Sequence, residues 1–363
     1  MPPERARAFA PGRANLIGEH TDYNGGLALP FAITEGITVS AIAHPVGPHA
    51  DADATIEAHA RDLDERDEFP LAAPPRPVAG WRAYVRGAVA ELAQAGFPLV
   101  PATLEIAGDV PPGSGLSSSA ALEVALCLTL IELGGVDAEQ VERTELARLC
   151  ARVEADWAGA QTGLLDQLAS LYGRADAALL IDFRSLTVEP VPLRLHGWRL
   201  AALDSGERHA HASSAYNERR SECRRACELL GVASLREADA RAIADLPEPV
   251  RSRAEHVRGE NVRVLEAVAA LRSDDLAALG RLLDASHASL RDLFAASTPA
   301  VERTVERMRS AGASGARLVG GGFGGSVLGL FAPGRTPPPD ARELLPGAGA
   351  RVLGSTDRAG DES

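Results

Sequence analysis

The chain has 363 residues, 45% of them hydrophobic and 24% charged, which is typical of a soluble globular protein with one large domain or two smaller ones. Its net charge of −13 argues against a surface for nucleic acids or acidic membranes, and an aromatic content of 4% leaves few rings for stacking on bases. No apolar run approaches the length of a membrane span, so we expect neither a nucleic-acid partner nor membrane association.

The expected compartment follows from the N-terminus and the cysteines. The opening residues, MPPER, contain no apolar core of a signal peptide. Cys127, Cys150, Cys223 and Cys227 lie in helical patterns without the spacing of a zinc site, which predicts reduced thiols. We therefore expect a cytoplasmic protein, and we expect it to act as a monomer.

A polar stretch punctuated by glycines covers residues 10–26, ahead of a strand predicted over residues 37–42. Within it, Glu19, His20 and Asp22 bring together hydrogen-bond acceptors and a switchable donor. A polyhydroxylated ligand needs such a set because each sugar hydroxyl both donates and accepts. The spacing is not that of a helical zinc pair. The alternative is a solvated loop followed by a hairpin.

A helix is predicted to begin at Trp81, with Tyr84, Val85 and Leu92 on one face. Because aromatic residues are scarce in this chain, Trp81 is a candidate to cover an adenine ring. A role in the core is the alternative.

The densest stretch lies between a predicted strand and a predicted helix. Residues 102–107 alternate polar and apolar side chains, and residues 122–133 are apolar except for Glu123, Thr129 and Glu132. Between them, a loop with two glycines and three successive serines opens the helix. Glycines let a backbone approach a ligand closely, and serines at a helix start can reach an anion or a metal. We therefore predict a phosphate cradle, the alternative being a flexible turn in which a serine caps the helix.

The chain contains no lysine, so all 37 of its basic side chains are arginines. The P-loop of common nucleotide-binding proteins and the protein-kinase architecture both need a lysine, and both are excluded. If the serine loop binds ATP, backbone amides, serines and Mg²⁺ must hold it. An arginine or the metal must then offset the charge of the transition state.

Two carboxylates follow the serine loop. Glu154 lies beside the apolar stripe of a helix predicted from residue 145, and Asp166 falls in the first turn of the next helix. The helix dipole favours an ionised Asp166 there, and a carboxylate in that position can accept a proton from a substrate hydroxyl. Taken singly, Asp166 is also explained as a helix N-terminal charge and Glu154 as a surface residue. Their company with the serine loop favours the functional interpretation.

In the second half of the chain, prolines and His196-Gly197 favour a domain boundary near residues 185–197. A helix predicted from Ser213 to Leu230 carries Tyr216 in its first turn, where it either contacts a ligand or packs in the core. Five glycines within residues 320–325 exceed the one or two that a hairpin needs and allow a close backbone approach.

Together these motifs resemble the galactokinases of the GHMP small-molecule kinase superfamily. Residues 11–24, PGRANLIGEHTDYN, resemble the galactokinase signature, and residues 112–120, PGSGLSSSA, resemble the shared ATP-phosphate motif. Residues 320–325 resemble the third, glycine-rich motif. Further similar segments are SSAYNERRSEC at 213–223 and SHASLRD at 286–292, so the likeness runs from about residue 9 to 332.

The resemblance implies an α+β fold of two domains. Residues 1–190 would form an N-terminal domain with the ribosomal-S5-like fold, and residues 191–354 a C-terminal, ferredoxin-like GHMP kinase domain. The active site would lie between them. Residues 355–363 would form a disordered tail.

The resemblance also implies a role for each motif residue. Asp166 would be the catalytic base and Arg13 its charge-stabilising partner, while Ser119 and Glu154 would bind Mg²⁺. The sugar ligands would be Glu19, His20, Thr21, Asp22 and Tyr216, and the phosphate loop would be Gly113, Ser114, Gly115, Leu116, Ser117, Ser118 and Ser119. Ala14, Thr162 and Leu165 replace the family's common Val, Cys and Met, which we expect to affect packing.

The implied reaction is ATP-dependent phosphorylation of α-D-galactose at its anomeric hydroxyl, giving galactose 1-phosphate and ADP. Two alternatives remain open. A related sugar 1-kinase would act on N-acetylgalactosamine or L-arabinose. A catalytically silent sensor would bind galactose and ATP, but such sensors have a shortened serine motif, which is complete here.

Overall fold

The computed structural model describes residues 3–44, 54–73, 76, 78–110, 115–160, 163–208 and 212–354. The predicted tail at residues 355–363 lies outside these ranges. In chain order the strands are β1 (Arg5–Asn15), β2 (Leu27–Ala28), β3 (Pro30–Ala43), β4 (Thr55–Ala60), β5 (Glu65–Pro70), β6 (Ala102–Gly108), β7 (Ala177–Asp182), β8 (Thr187–Pro192), β9 (Arg199–Arg208), β10 (Ala313–Leu318), β11 (Gly324–Phe331), β12 (Arg342–Leu344) and β13 (Arg351–Val352).

The helices alternate with these strands in the first half of the chain and dominate residues 212–310. They are α1 (Trp81–Gln94), α2 (Ser118–Leu133), α3 (Arg143–Val153), α4 (Leu165–Tyr172), α5 (Ala212–Leu230), α6 (Ala240–Ala244), α7 (Val250–Arg272), α8 (Leu276–Asp292) and α9 (Pro299–Ser310). A π-helical turn, Glu154–Ala158, continues α3. Among the described helices, none is both long and apolar enough to cross a membrane.

The strand and helix predicted around the serine loop are confirmed. The strand is β6, and the helix is α2, which begins four residues before the predicted start, at Ser118. Helix α2 is buried on nearly every side, so even its polar residues Glu123 and Thr129 are inaccessible to solvent. Thr129 satisfies its hydroxyl by donating to the Val39 carbonyl oxygen at 3.2 Å.

The largest sheet packs against α2, and α1 and α3 lie against α2 in the same core. Within the described ranges its strand order is β13-β1-β3-β6-β4-β5, with β4 and β6 parallel and the other pairs antiparallel. Val39 and Leu104 on the sheet meet Leu126 of α2 in its core. Each fully buried aliphatic side chain of this kind stabilises the fold by about 1.5–3 kcal/mol.

A second sheet carries the C-terminal half of the chain. Its order is β10-β11-β9-β12 over the described residues, and every pair is antiparallel. Helices α8 and α9 pack on it, and Leu203, Val327 and Phe331 meet Val305 and Met308 of α9 in its core.

The third sheet, β2-β7-β8 in the described part of the chain, bears on the predicted domain division. A division after residue 190 falls inside β8, which pairs with β7. The last strand, β13, also returns to pair with β1 in the first sheet. The division into residues 1–190 and 191–354 stays a prediction. It would cut β8 in two, and it would assign β13, which pairs in the first sheet, to the C-terminal domain.

A buried arginine ties the second sheet to the first. Arg317, on β10, is 0% exposed and donates from Nη1 to the backbone oxygens of Asn15 at 3.0 Å and Leu16 at 2.9 Å. Its Nη2 lies 3.3 Å from Oε1 of Glu19. A buried charge is tolerated only when it is paired and hydrogen-bonded, so these contacts fix the end of β1 against β10.

We expect Arg317→Met to lower the free energy of unfolding by about 3–5 kcal/mol, because it leaves the Glu19 carboxylate buried without its cation. Urea unfolding measures the loss. Arg199→Met is the control, since it breaks an exposed ion pair with Glu343 in the same sheet and such pairs contribute little. Equal losses for the two variants would contradict the bridging role of Arg317.

Candidate active site

A cleft of about 1070 Å³ gathers most of the predicted site residues from both halves of the chain. Its volume lies slightly above the range of about 300–1,000 Å³ that is typical of small-molecule sites. The predicted residues on its walls are Arg13, Glu19, His20, Asp22, Gly115, Ser117, Ser118, Ser119, Glu154, Asp166 and Tyr216.

Asp166 is held at the centre of the cleft by charge-assisted hydrogen bonds. Helix α4 carries it in its first turn, as predicted. Arg13 donates from Nε to Oδ1 at 2.7 Å and from Nη2 to Oδ2 at 2.8 Å, a two-pronged contact that fixes the carboxylate plane. The remaining Arg13 nitrogen, Nη1, donates to the Gly115 carbonyl oxygen at 2.6 Å. The arginine therefore ties β1, the serine loop and α4 together.

Ser117 binds Asp166 and does not cap helix α2. It precedes the helix with a left-handed φ of 59°, and its side chain makes no cap hydrogen bond. Its hydroxyl donates instead to Oδ2 of Asp166. The alternative of a serine cap is thus wrong at this position, because the hydroxyl serves the carboxylate.

Ser119 and Glu154 form the candidate metal site. The hydroxyl of Ser119 lies 3.2 Å from Oε1 of Glu154, and both residues line the cleft. Glu154 is buried apart from this face and begins the π-helical turn. Mg²⁺ prefers hard oxygen ligands, usually one or two carboxylates plus substrate phosphates, so a hydroxyl and a carboxylate on a cleft wall fit this ion. Among the described residues, no cluster of three or more His, Cys, Asp or Glu side chains forms a denser metal site.

Two residues behind Glu154 were not predicted as site residues. Gln167 donates from Nε2 to Oε2 of Glu154 and to Oε2 of Glu123, both at 3.1 Å. Gln167 and Glu123 are fully buried, and burial together with the nearby Glu154 carboxylate raises the pKa of Glu123 well above its ordinary value. In the sequence, the signal that could have pointed to these residues was Glu123, a carboxylate within a largely apolar helix.

His20 lies on the cleft wall as a neutral ring. Burial, and the proximity of His256, lower the pKa of His20 to about 3. Its Nδ1 lies 2.8 Å from the Tyr23 hydroxyl. Within the described residues Nε2 makes no hydrogen bond of standard geometry, although the backbone of Gly321 is near it. A buried polar atom in this condition is suited to a ligand hydroxyl.

Asp22 combines a raised pKa with a tight steric contact. Burial, reinforced by the charges of Asp166 and Glu19, raises the pKa of Asp22 to about 6. A Cβ on Gly163 would lie 1.8 Å from Oδ2 of Asp22, so residue 163 must be glycine for the carboxylate to keep its position.

Glu19 is used on both carboxylate oxygens. Oε1 accepts from the Gly320 amide at 2.8 Å and pairs with Arg317, while Oε2 accepts from Asn15 Nδ2 at 2.5 Å. Burial raises the pKa of Glu19 despite these contacts. Glu19 therefore joins residues 11–24 to the glycine-rich loop, residues 320–325, and it also lines the cleft.

Tyr216 packs directly against the glycine-rich loop on the cleft wall. Its ring lies 5.4 Å from that of His20, and a Cβ on Gly321 would come within 2.9 Å of it, so glycine is needed there for close approach. Burial raises the pKa of the Tyr216 hydroxyl well above its ordinary value, which keeps a proton available for donation.

Two predicted residues do not reach the cleft, and two cannot be assessed. Thr21 is 0% exposed, and its hydroxyl lies 2.8 Å from the Gly18 carbonyl oxygen and 2.7 Å from that of Leu27. The assignment of Thr21 as a sugar ligand stays a prediction, and its hydroxyl bonds its own loop. Leu116 is also buried, and it contributes its carbonyl oxygen to the Arg13 amide at 3.0 Å. Gly113 and Ser114 lie outside the described residues.

Trp81 takes part in the core, and its role as a cover for adenine stays a prediction. It lines the cleft, where its Nε1 donates to Glu65 at 2.8 Å, and it packs against the core of the first sheet.

Of the three departures from the family pattern, Ala14 is buried, Leu165 lines the cleft and Thr162 lies outside the described residues. The expectation of a packing role therefore holds for Ala14, whereas Leu165 also shapes the site.

Comparison with known proteins assigns the chain to a family. Family models match GHMP kinases N terminal domain at residues 83–174, GHMP kinases C terminal at 267–349, and the galactokinase galactose-binding signature at 2–42. A galactokinase of Mycobacterium tuberculosis is 45% identical over 88% of this chain and 87% of its own length. One of Roseiflexus is 43% identical over 88% and 82%.

The solved structures agree with these matches. The crystal structure of Lactococcus lactis galactokinase complexed with galactose aligns with a TM-score of 0.87 at 32% identity, covering 96% of this chain and 95% of that one. L. major mevalonate kinase in complex with R-mevalonate, at 20% identity and a TM-score of 0.62 over 92% and 90% of the chains, shares the fold. The fold and the cleft are thus those of a GHMP kinase with N- and C-terminal domains. Within that class, the chain belongs to the galactokinase family.

The raised pKa of Asp22 makes stability depend on pH. The pKa of Asp22 is about 6 in the folded state and 3.8 ordinarily, so the folded protein binds this proton more tightly than the unfolded chain does. The stability that the bound proton contributes is fully present below pH 3.8 and is lost as the pH rises through 6. We expect Asp22→Asn to be more stable than the wild type at pH 8, by up to about 3 kcal/mol, with a smaller gain at pH 5. Urea unfolding at both pH values measures the difference.

The control for the Asp22 measurement is Asp176→Asn, which removes one exposed negative charge at a residue outside the cleft. A gain for Asp22→Asn that is the same at pH 5 and pH 8 would contradict the raised pKa.

Proposed function

We propose that this chain phosphorylates α-D-galactose at the anomeric hydroxyl, using ATP and producing galactose 1-phosphate and ADP. The observation that carries this proposal is the contact of Asp166 with Arg13 and Ser117 on the wall of one cleft. The same cleft is lined by Glu19, His20 and Asp22, which fall within the segment that matches the galactose-binding signature, and by the serine loop.

In this proposal Asp166 is the general base. It takes the proton from the anomeric hydroxyl, whose oxygen attacks the γ-phosphorus of ATP while the bond to the β-phosphate oxygen breaks and ADP leaves. Arg13 supports the step in two ways. It fixes the carboxylate by two hydrogen bonds. A guanidinium has roughly five N–H groups, and those that are not bound to Asp166 or Gly115 can stabilise the developing negative charge.

Ser119 and Glu154 would hold Mg²⁺, whose bound form neutralises charge on the β- and γ-phosphates. Gly115, Ser117 and Ser118, with Gly113 and Ser114 by resemblance, form the phosphate loop, which needs no lysine. The N-terminal end of α2 adds its free amides to that loop. The phosphates are thereby aligned with Asp166 across the cleft.

The proposed sugar ligands are His20, Asp22, Glu19 and Tyr216. A neutral His20 and a protonated Tyr216 can each donate or accept, and the carboxylates of Asp22 and Glu19 accept. A site with such buried polar groups rejects a sugar that leaves them unpaired, which is the physical basis for selecting one sugar.

The alternatives are separated by one assay. ADP release with Mg·ATP is measured for D-galactose, D-glucose, N-acetylgalactosamine and L-arabinose. Turnover with galactose, yielding the 1-phosphate, supports the proposal, whereas turnover with another sugar alone keeps the mechanism and overturns the sugar assignment. Galactose binding without any turnover would indicate a sensor.

We expect Asp166→Ala to lower kcat by about 10²- to 10⁴-fold, because general base catalysis contributes rate enhancements of this order. Galactose affinity, measured by calorimetry, should stay within about threefold of the wild type. The control is Asp176→Ala, at an exposed carboxylate just beyond α4. A near-normal rate for Asp166→Ala would remove Asp166 from the mechanism.

We expect Gly163→Ala to weaken galactose binding at least about tenfold, because the new Cβ would lie 1.8 Å from Oδ2 of Asp22 and displace that carboxylate. Gly259→Ala is the matched control, since its Cβ would meet only the end of the Arg263 side chain, at 3.2 Å. Unchanged galactose affinity in Gly163→Ala would show that the position of Asp22 does not determine binding.

We also propose that the chain acts as a monomer in the cytoplasm. The four cysteines are free, and three are buried, which fits a reducing compartment. Light scattering on the purified protein tests the oligomeric state.

A further inference from the structure

The strongest unexplained feature beside the cleft is a buried polar cluster behind Glu154. Gln167 and Glu123 are both 0% exposed, and neither lines the cleft. Among the described residues, Oε1 of Gln167 and Oε1 of Glu123 have no hydrogen-bond partner. Buried polar atoms without partners reduce stability, so apolar residues of similar size would stabilise the fold better at these positions. The cluster therefore calls for a functional explanation.

The geometry gives the two oxygens of Glu154 different tasks. Oε2 accepts from Gln167 Nε2 at 3.1 Å, on the buried side, whereas Oε1 lies 3.2 Å from the Ser119 hydroxyl, on the cleft side. Glu154 also begins a π-helical turn, where the regular backbone hydrogen-bond pattern is interrupted. A carboxylate that binds a metal is oriented by hydrogen bonds from residues that do not themselves bind the metal.

Gln167 has the hydrogen-bond donors that can orient Glu154 in this way. Its single amide nitrogen carries two hydrogens, and it donates one to Glu154 and one to Glu123, each at 3.1 Å. Glu123 is fixed in turn because α2 is buried around it. An arginine here would pair with the carboxylate and compete with a metal ion, whereas an amide orients Glu154 and leaves its charge available.

We propose that Gln167, anchored on Glu123, is a positioning residue that holds Glu154 with Oε1 directed at Ser119 and the cleft. The inference rests on the proposed role of Glu154 as a metal ligand. It extends the site to two residues that never touch the substrates. Gln167 also follows Asp166 directly in α4, so one helical turn sets both the base and the metal ligand.

The test measures Mn²⁺ binding to the complete protein with ADP, by electron paramagnetic resonance, and galactose binding by calorimetry. We expect Gln167→Met to weaken Mn²⁺ binding at least tenfold and to leave galactose binding within about twofold. Ser170→Ala is the matched control: it also removes a buried hydrogen bond from α4, to the Pro11 carbonyl oxygen at 2.8 Å, but does not contact Glu154. Its Mn²⁺ affinity should stay at the wild-type value.

A second pair of variants keeps the test independent of how well Gln167→Met folds. Glu123→Gln retains an oxygen that can accept from Gln167 and should bind Mn²⁺ within about threefold of the wild type, whereas Glu123→Leu should lose affinity as Gln167→Met does. Equal affinities for these two variants would overturn the anchoring role.

Glu154→Gln separates this inference from the function on which it rests. If Glu154→Gln weakens Mn²⁺ binding and Gln167→Met does not, the positioning role is wrong and the metal site stands. If Glu154→Gln itself binds Mn²⁺ normally, the assignment of Glu154 as a metal ligand is wrong.

Discussion

The buried pair of Glu19 and Arg317 is the constraint on which the site depends. Arg317 is inaccessible to solvent, and its guanidinium reaches the end of β1 through the backbone oxygens of Asn15 and Leu16. An arginine in the interior is tolerated only with a fixed anionic partner, and Glu19 supplies it at 3.3 Å. Because Glu19 also accepts from the Gly320 amide at 2.8 Å, the same pair holds the glycine-rich loop against residues 11–24.

The network continues to helices α7 and α8, and this continuation holds the turn that precedes His20. Burial opposes ionisation of Glu260, but His256, Arg263 and Arg317 outweigh it and lower the pKa of Glu260 to about 2. The resulting carboxylate accepts from the Gly18 amide at 3.0 Å and the Ser286 hydroxyl at 2.6 Å. The turn that precedes His20 is therefore held by a charge on α7, so the cleft wall at His20 depends on how this helix packs.

Sequence reasoning succeeded where local pattern and chemistry agree. Helix α2 was predictable from its apolar run, and Asp166 from its place in the first turn of α4. It left the outcome open where one side chain had two plausible partners. The Ser117 hydroxyl had the sequence signature of a helix cap, yet it serves Asp166, which is 49 residues away. Thr21 had the polarity of a ligand, yet it bonds its own loop. Only the tertiary contact decides such cases.

The first turn of α4 carries two neighbouring side chains with different partners. Successive residues on a helix point about 100° apart, so Asp166 and Gln167 cannot face the same side. Asp166 is directed to Arg13 and the cleft, and Gln167 to Glu123 and Glu154 in the interior. Any rotation of α4 that improved one contact would worsen the other. The candidate base and the candidate metal ligand are therefore positioned together, by a helix of eight residues with contacts on both sides.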